Sequence, residues 1–100
     1  MAAMLIECYR SLQDSSSKML AAAQSENWDL VVQYEGLCSV QIAELRELAR
    51  SMELQPDERR EKGLIMRRIL MNDALIRDLA EPWIDQSVGS LSSGTQRVLH

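Results

Sequence analysis

WDLVVQYEGLCSVQIAELRELARSM, residues 28–52, is the stretch that decides the fold. Its apolar side chains recur at steps of three and four residues, the spacing that puts them on one face of an α-helix. The main stripe consists of Trp28, Val31, Cys38, Ile42, Leu45, Ala49 and Met52, and a flanking stripe of Leu30, Tyr34, Leu37 and Leu48. We therefore predict a helix over residues 26–52, with Ser25 as its N-cap. Its apolar face is broader than one neighbouring helix would cover.

The segment before this helix carries a weaker version of the same pattern. Leu5, Leu12 and Met19 recur at multiples of seven residues. Three consecutive serines, residues 15–17, weaken the pattern locally because their hydroxyl groups compete for backbone hydrogen bonds. The sequence predicts a first helix over residues 2–23 that is softest near these serines.

The segment after residue 52 predicts a long third helix. Pro56 suits the first turn of a helix, where its missing N–H costs nothing. The apolar stripe then keeps its phase across Pro82, so we predict a kink there rather than a break. Its members are Ile65, Ile69, Asn72, Ile76, Leu79 and Trp83. We place this helix over residues 56–88 and interpret residues 89–100 as an exposed or frayed tail.

These three helices predict one all-α domain over residues 1–100, an antiparallel three-helix bundle with a long third helix. The short connections favour antiparallel neighbours. The second and third helices carry more apolar surface than the single weak stripe of the first helix can cover. We therefore expect an unfilled apolar groove between the second and third helices, suited to binding a helix of another protein.

Composition excludes several classes of function. The chain of 100 residues has a net charge of −4, which argues against direct nucleic-acid binding. No apolar run approaches the roughly 18 residues that would insert into a membrane, and the first ten residues, MAAMLIECYR, do not resemble a signal peptide. We expect a cytoplasmic protein in which Cys8 and Cys38 are reduced thiols.

The sequence predicts a protein without catalysis. Its one histidine is the terminal residue, His100, and no catalytic, phosphate-binding or metal-ligand motif is present. We therefore assign no catalytic residue, no metal site and no cofactor. Glu35, the one acid beside a buried stripe, is interpreted as an edge residue reaching solvent.

Three features of the polar residues have alternative interpretations. The basic cluster of Arg59, Arg60, Lys62, Arg67 and Arg68 is either a solvated face paired with Asp57, Glu58 and Glu61, which we favour, or a surface for an acidic patch on a partner. Asn72, in a core stripe, is interpreted as a satisfied residue that sets helix register. Gly36 suggests a close approach of another backbone.

Residues 26–35, ENWDLVVQYE, resemble the FliT-type flagellar export chaperones, which have a similar W-D-L hinge opening their second helix. The resemblance extends over most of the chain, including a Q-x-I-x-x-L run that begins at Gln41. It implies a cytoplasmic chaperone that binds the carboxy-terminal segment of the filament-cap protein FliD, prevents its premature assembly and delivers it to the export ATPase complex and export gate. Some members also restrain the flagellar master transcription regulator.

The family's cargo groove lies between the second and third helices. The partner-binding residues that we predict for it are Leu30, Tyr34, Leu37, Gln41, Ile69, Met71 and Ile76. Family members carry a fourth helix that can fold over this groove, whereas the sequence here ends at His100. Two alternatives remain: a regulatory module that sequesters a transcription factor, and a structural coiled-coil homodimer that buries the same apolar surface.

Overall fold

The computed structural model describes the backbone of residues 3–98 and the side chains of residues 4–82. It contains three helices, α1 (Ala3–Gln24), α2 (Trp28–Ala49) and α3 (Pro56–Val98). Within the described residues there is no strand, so the predicted all-α class is confirmed. Pro82 lies inside α3, which continues to Val98 instead of ending near residue 88. The side chains of Trp83 and of the predicted tail lie outside the described residues.

α1 is the central helix of the bundle. It packs against both α2 and α3, whereas α2 and α3 make no close backbone contact in the described residues. Eight of its residues are buried, namely Leu5, Ile6, Tyr9, Leu12, Ser15, Ser16, Ala22 and Ala23. The expectation that the first helix contributes only a weak stripe is therefore wrong. Its serines and alanines are small enough to be enclosed by two neighbours, so they belong to the core although they add little hydrophobicity.

The core consists of two apolar clusters joined along α1. The first contains Leu5, Ile6, Tyr9, Leu45, Leu54 and Ile65, and the second contains Ala22, Ala23, Val31 and Ile76. Early α1 residues thus meet the end of α2 and the start of α3, while late α1 residues meet the start of α2. α2 therefore runs antiparallel to α1, and α3 returns in the direction of α1.

A polar layer occupies α1 between the two clusters. Asn72 of α3 is only 2% exposed. Its side-chain amide donates to the hydroxyl oxygens of Ser16 at 3.1 Å and Ser17 at 3.3 Å. Because these bonds are directional, they fix the height of α3 against α1. The interpretation of Asn72 as a satisfied buried residue is confirmed.

Side-chain hydrogen bonds cap the helix that follows each of the two connections. Asn27, and not Ser25 as predicted, caps α2: its side chain accepts a hydrogen bond from the backbone N–H of Leu30 at 3.3 Å. The chain reaches this cap through Glu26, which adopts a left-handed backbone angle, φ 58°. At the start of α3, the carboxylate of Glu58 accepts from the backbone N–H of Gln55 at 2.8 Å. This bond satisfies a donor just before the helix.

Gly36 does not have the role expected from the sequence. A Cβ atom added at Gly36 would meet nothing within 4 Å, so no backbone of the described residues approaches it closely. Gly36 is an exposed helical position in α2. The expectation of a close helix approach at this residue is wrong.

Candidate partner-binding site

A groove of about 360 Å³ lies between the start of α1 and the second half of α2. Its apolar walls come from Met4 and Leu37, whose side chains are 58% and 44% exposed. Half-buried Cys8 lines the groove between them, together with Ser11. Large apolar side chains on opposite walls of an open groove are a surface that an apolar segment of a partner could cover.

The groove also contains an unused hydrogen-bond acceptor. The side-chain oxygen Oε1 of Gln41 is inaccessible to solvent and has no hydrogen-bond partner within residues 4–82. A buried amide oxygen without a donor costs about 1–3 kcal/mol. Glu7 and Glu44 lie along the same groove. Glu7 is paired with Arg10, so the carboxylate of Glu44 is the acidic group that an N–H donor of a partner would meet there.

A second, smaller groove of about 300 Å³ lies at the other end of the same helix pair. Leu30 and Tyr34 of α2 line it, facing Lys18 and Ala22 of α1. The hydrogen bond and charge of Asp14, 3.0 Å away, raise the pKa of Lys18. Four of the seven predicted site residues, Leu30, Tyr34, Leu37 and Gln41, therefore line grooves between α2 and α1.

The three predicted residues of α3 do not join them in one groove. Ile76 is 9% exposed and belongs to the second core cluster, against which Leu30 also packs. Ile69 is half-buried against the first cluster. Met71 is 56% exposed, on a different face of α3 from the buried Ile76. α1 packs against both helices, and the seven predicted residues are not gathered into one groove between α2 and α3.

The α1 side of the groove was missed by sequence reasoning. Met4, Cys8 and Ser11, which line the groove, recur at steps of four and three, and Ser15 continues the same face of α1 four residues further on. This second stripe of α1 lies beside the main one and contains two polar members. The signal was present in the sequence, but apolar periodicity alone overlooks a stripe in which serine replaces a larger residue.

The basic cluster of α3 does not pair with the acids that the sequence places beside it. Glu61 instead binds Arg10 of α1, with 2.6 Å between its Oε2 and the arginine Nε, and Glu58 caps the helix. Lys62 lies 5.4 Å above the ring of Tyr9. Within the described residues, Arg59, Arg60, Arg67 and Arg68 form no salt bridge. The face is exposed, as the favoured interpretation expected, but the pairing with Asp57, Glu58 and Glu61 is not found in the described residues.

The titratable groups of the described residues do not assemble a reactive centre. No group of three or more histidine, cysteine or acidic side chains is arranged to hold a metal ion in that part of the chain. Cys38 is a free, buried thiol whose pKa is raised by burial and by the charge of Glu35, and such a thiol is unreactive. Glu35 itself is exposed, as expected. No helix of the described residues has the length and hydropathy to span a membrane.

A three-helix bundle with exposed apolar grooves defines a class of protein-binding modules, and comparison with known proteins gives the family. The family model described as "Flagellar protein FliT" matches residues 6–98, so the chain belongs to the FliT family. It is a flagellar protein of a family of export chaperones, which confirms the resemblance carried by its W-D-L hinge.

A solved structure supports the same assignment. The crystal structure of flagellar protein FliT from Bordetella bronchiseptica is 36% identical in sequence to the chain, with a TM-score of 0.75. The match covers 87% of this chain and 99% of that one. No curated protein sequence matches the chain. The structural match extends over nearly the whole bundle.

Proposed function

We propose that this chain is a cytoplasmic export chaperone that binds the carboxy-terminal segment of a FliD-like filament-cap protein. Binding would cover apolar residues of that segment, prevent premature assembly, and allow delivery to the export ATPase complex and export gate. Family membership supports the chaperone role. The observation that carries the binding proposal is the groove between α1 and α2, with Met4 and Leu37 exposed on its two walls.

The seven predicted residues contribute unequally to this proposal. Leu30, Tyr34, Leu37 and Gln41 lie along grooves where a helical segment could contact several of them. Ile69 and Ile76 support the surface from the core and would act through packing. Met71 lies on another face and would need a second contact with cargo. We therefore propose the α1–α2 grooves as the main cargo surface.

A substitution at Leu37 tests the proposal. Leu37→Asp places a charge where an apolar cargo residue would bind, and should weaken binding of the FliD-like carboxy-terminal segment at least about tenfold. Because Leu37 is exposed, helical circular dichroism and the free energy of unfolding should change little. Titration calorimetry measures the affinity, and Val40→Asp on the exposed face of α2 is the matched control.

A chemical readout locates the segment independently. Cys8 lines the groove, whereas Cys38 is buried. Bound cargo should slow alkylation of Cys8 by iodoacetamide, whereas Cys38 should stay unmodified with and without cargo. Binding of the segment with no protection of Cys8 and no effect of Leu37→Asp would exclude this groove. A chain that is folded but does not bind the segment would favour the alternatives of a transcription-factor regulator or a homodimer.

A further inference from the structure

The free arginines of α3 form one edge of an exposed surface. Their sequence neighbours Glu58 and Glu61 are engaged elsewhere, with the backbone of Gln55 and with Arg10. A guanidinium group is always charged near neutral pH and has a planar set of donors that matches a carboxylate. Exposed Asp57 lies three residues before Arg60, but within residues 4–82 no salt bridge joins an acid to these arginines, so on a chain of net charge −4 they form a local concentration of positive charge.

An apolar stripe runs beside these arginines. It consists of Leu64, Met71, Leu75 and Leu79, whose side chains are between 42% and 59% exposed. Steps of seven, four and four residues place the four on one face of α3. Arg60 lies four residues before Leu64, and Arg67 and Arg68 lie three and four residues after it. At these spacings all three are neighbours of Leu64 on the helix surface. We name Arg60, Arg67, Arg68 and the four apolar residues the α3 outer surface.

The α3 outer surface is not covered by the rest of the described chain. A Cβ atom added at the neighbouring Gly63 would meet no described residue within 4 Å, so none of them fills the space at this part of the helix. α2 makes no close backbone contact with α3, and α1 buries a different face, the one that holds Ile65, Asn72 and Ile76. Four large apolar side chains on one exposed face form the kind of patch that marks an interaction site.

We infer that the α3 outer surface binds an acidic amphipathic helix of a partner protein, at a place distinct from the cargo grooves. Its leucine and methionine side chains would contact the apolar stripe of that helix, and glutamates or aspartates beside the stripe would pair with Arg60, Arg67 and Arg68. Methionine suits such a surface because its flexible thioether adapts to different partners. Two features together define the partner. Its apolar residues recur at steps of three and four, and acidic residues lie beside that stripe.

The charges of the α3 outer surface favour a protein partner over nucleic acid or an anionic membrane. Asp78 lies three residues after Leu75 on the same side of α3 and is exposed. A nucleic-acid backbone or an anionic lipid surface presents negative charge continuously and would be repelled there. A protein helix can place its acids opposite the arginines and leave a neutral or basic residue opposite Asp78. The net charge of −4 also opposes association with nucleic acid or anionic membrane.

A designed peptide tests this inference on the full chain. The probe is a fluorescent helical peptide with leucines at steps of three and four, and with glutamates on both sides of that stripe. We expect saturable one-to-one binding by fluorescence anisotropy that weakens as salt is raised. The double variant Arg67→Glu/Arg68→Glu should lose about tenfold in affinity, because attraction becomes repulsion at two positions.

Control variants separate specific binding from the effects of net charge and of non-specific apolar contact. Arg46→Glu/Arg50→Glu changes net charge equally on exposed positions of α2 and at its end, and should bind like the original chain. A peptide with lysine in place of glutamate should instead prefer the Arg67→Glu/Arg68→Glu variant. Leu64→Ser should weaken binding, whereas Val32→Ser, an equally exposed apolar truncation on α2, should not.

Several results would overturn the inference. It fails if the acidic peptide does not bind the folded chain, or binds both double variants equally well. It also fails if phosphatidylserine vesicles or duplex DNA bind the chain more tightly than the peptide and lose binding in the Arg67→Glu/Arg68→Glu variant. Because the FliD-like segment should bind that variant normally, the cargo proposal is tested separately.

Discussion

At the residue scale, Asn72 joins two helices through a single amide group. Its two bonds reach consecutive serines of α1, so a shift of α3 by one residue would break both. A leucine at this position would add apolar contacts, but it would leave the buried Ser16 hydroxyl without its donor. The residue therefore contributes more to the register of α3 against α1 than to the apolar core.

Truncating this side chain should have a large effect for one residue. Asn72→Ala removes the donor of two hydrogen bonds and leaves a cavity, so the free energy of unfolding should fall by about 2–3 kcal/mol. Urea denaturation followed by circular dichroism measures the loss. Ser39→Ala is the control, because its exposed hydroxyl bonds only to the carbonyl of Glu35 in its own helix. Equal stability of the two variants would contradict a structural role for Asn72.

Gly36 supports the opposite prediction, a gain of stability. An exposed helical glycine next to open space gives up backbone entropy on folding without a packing benefit. Gly36→Ala should raise the free energy of unfolding by about 0.5–1 kcal/mol. Thermal denaturation in comparison with the unchanged chain measures the shift. A destabilised Gly36→Ala variant would mean that another backbone or a partner approaches this position in solution.

At the element scale, one ion pair joins the start of α1 to the start of α3. Arg10 donates to both carboxylate oxygens of Glu61, at 2.6 and 2.8 Å, and this hydrogen bonding lowers the pKa of Glu61. Folding therefore favours the charged carboxylate. Its stabilising effect is fully present above the ordinary glutamate pKa of about 4.3 and is lost as pH falls through the lower pKa of the folded state.

A pH series isolates this contribution. Glu61→Gln should lower the free energy of unfolding near neutral pH, and the difference from the unchanged chain should vanish in acid, once Glu61 is protonated in both states. Denaturation midpoints at several pH values give the comparison. Glu53→Gln, which alters an exposed acid in the connection before α3, should show no such trend. A difference that persists in acid would mean that Glu61 acts by packing.

The sequence predicted the elements better than their arrangement. The predicted main stripe of α2 includes its buried residues Val31, Cys38 and Leu45, because one helix buries one stripe wherever its neighbour lies, but Ile42 and Ala49 of that stripe are exposed. It could not show which helix covers the flanking stripe of Leu30, Tyr34 and Leu37. That choice depends on the small residues of α1, whose burial reflects close approach and not hydrophobicity. The sequence likewise favoured pairing of the α3 arginines with Glu61, whose partner in the structure is Arg10 of α1.

At the scale of the whole molecule, α1 separates two surfaces of opposite character. The groove between α1 and α2 carries Glu44 and also Glu7, which is paired with Arg10, whereas the arginines of the α3 outer surface form no salt bridge in the part of the chain that the structure describes. The two proposed partners would therefore differ in charge and would approach from different helices. A chaperone with this arrangement could hold its cargo while a second protein recognises the loaded chain.

Simultaneous binding is the expected outcome of that arrangement. The FliD-like segment should bind the chain saturated with the acidic peptide with an affinity within about twofold of its affinity for the free chain. Sequential calorimetric titrations in both orders measure it. Reciprocal loss of affinity would show that the surfaces overlap or are coupled. The Arg67→Glu/Arg68→Glu variant then serves to show whether the coupling passes through α3.

The central position of α1 also has an evolutionary consequence. A helix enclosed on two sides has few positions at which a substitution leaves the fold intact, whereas the outer faces of α2 and α3 contact nothing else in the described bundle. New partners can thus be acquired by changing the two outer helices while α1 stays as it is. In related bundles, the amino-acid sequence should therefore change most slowly along α1 and fastest on the outer faces of α2 and α3. Partner choice would then diverge while the fold is kept.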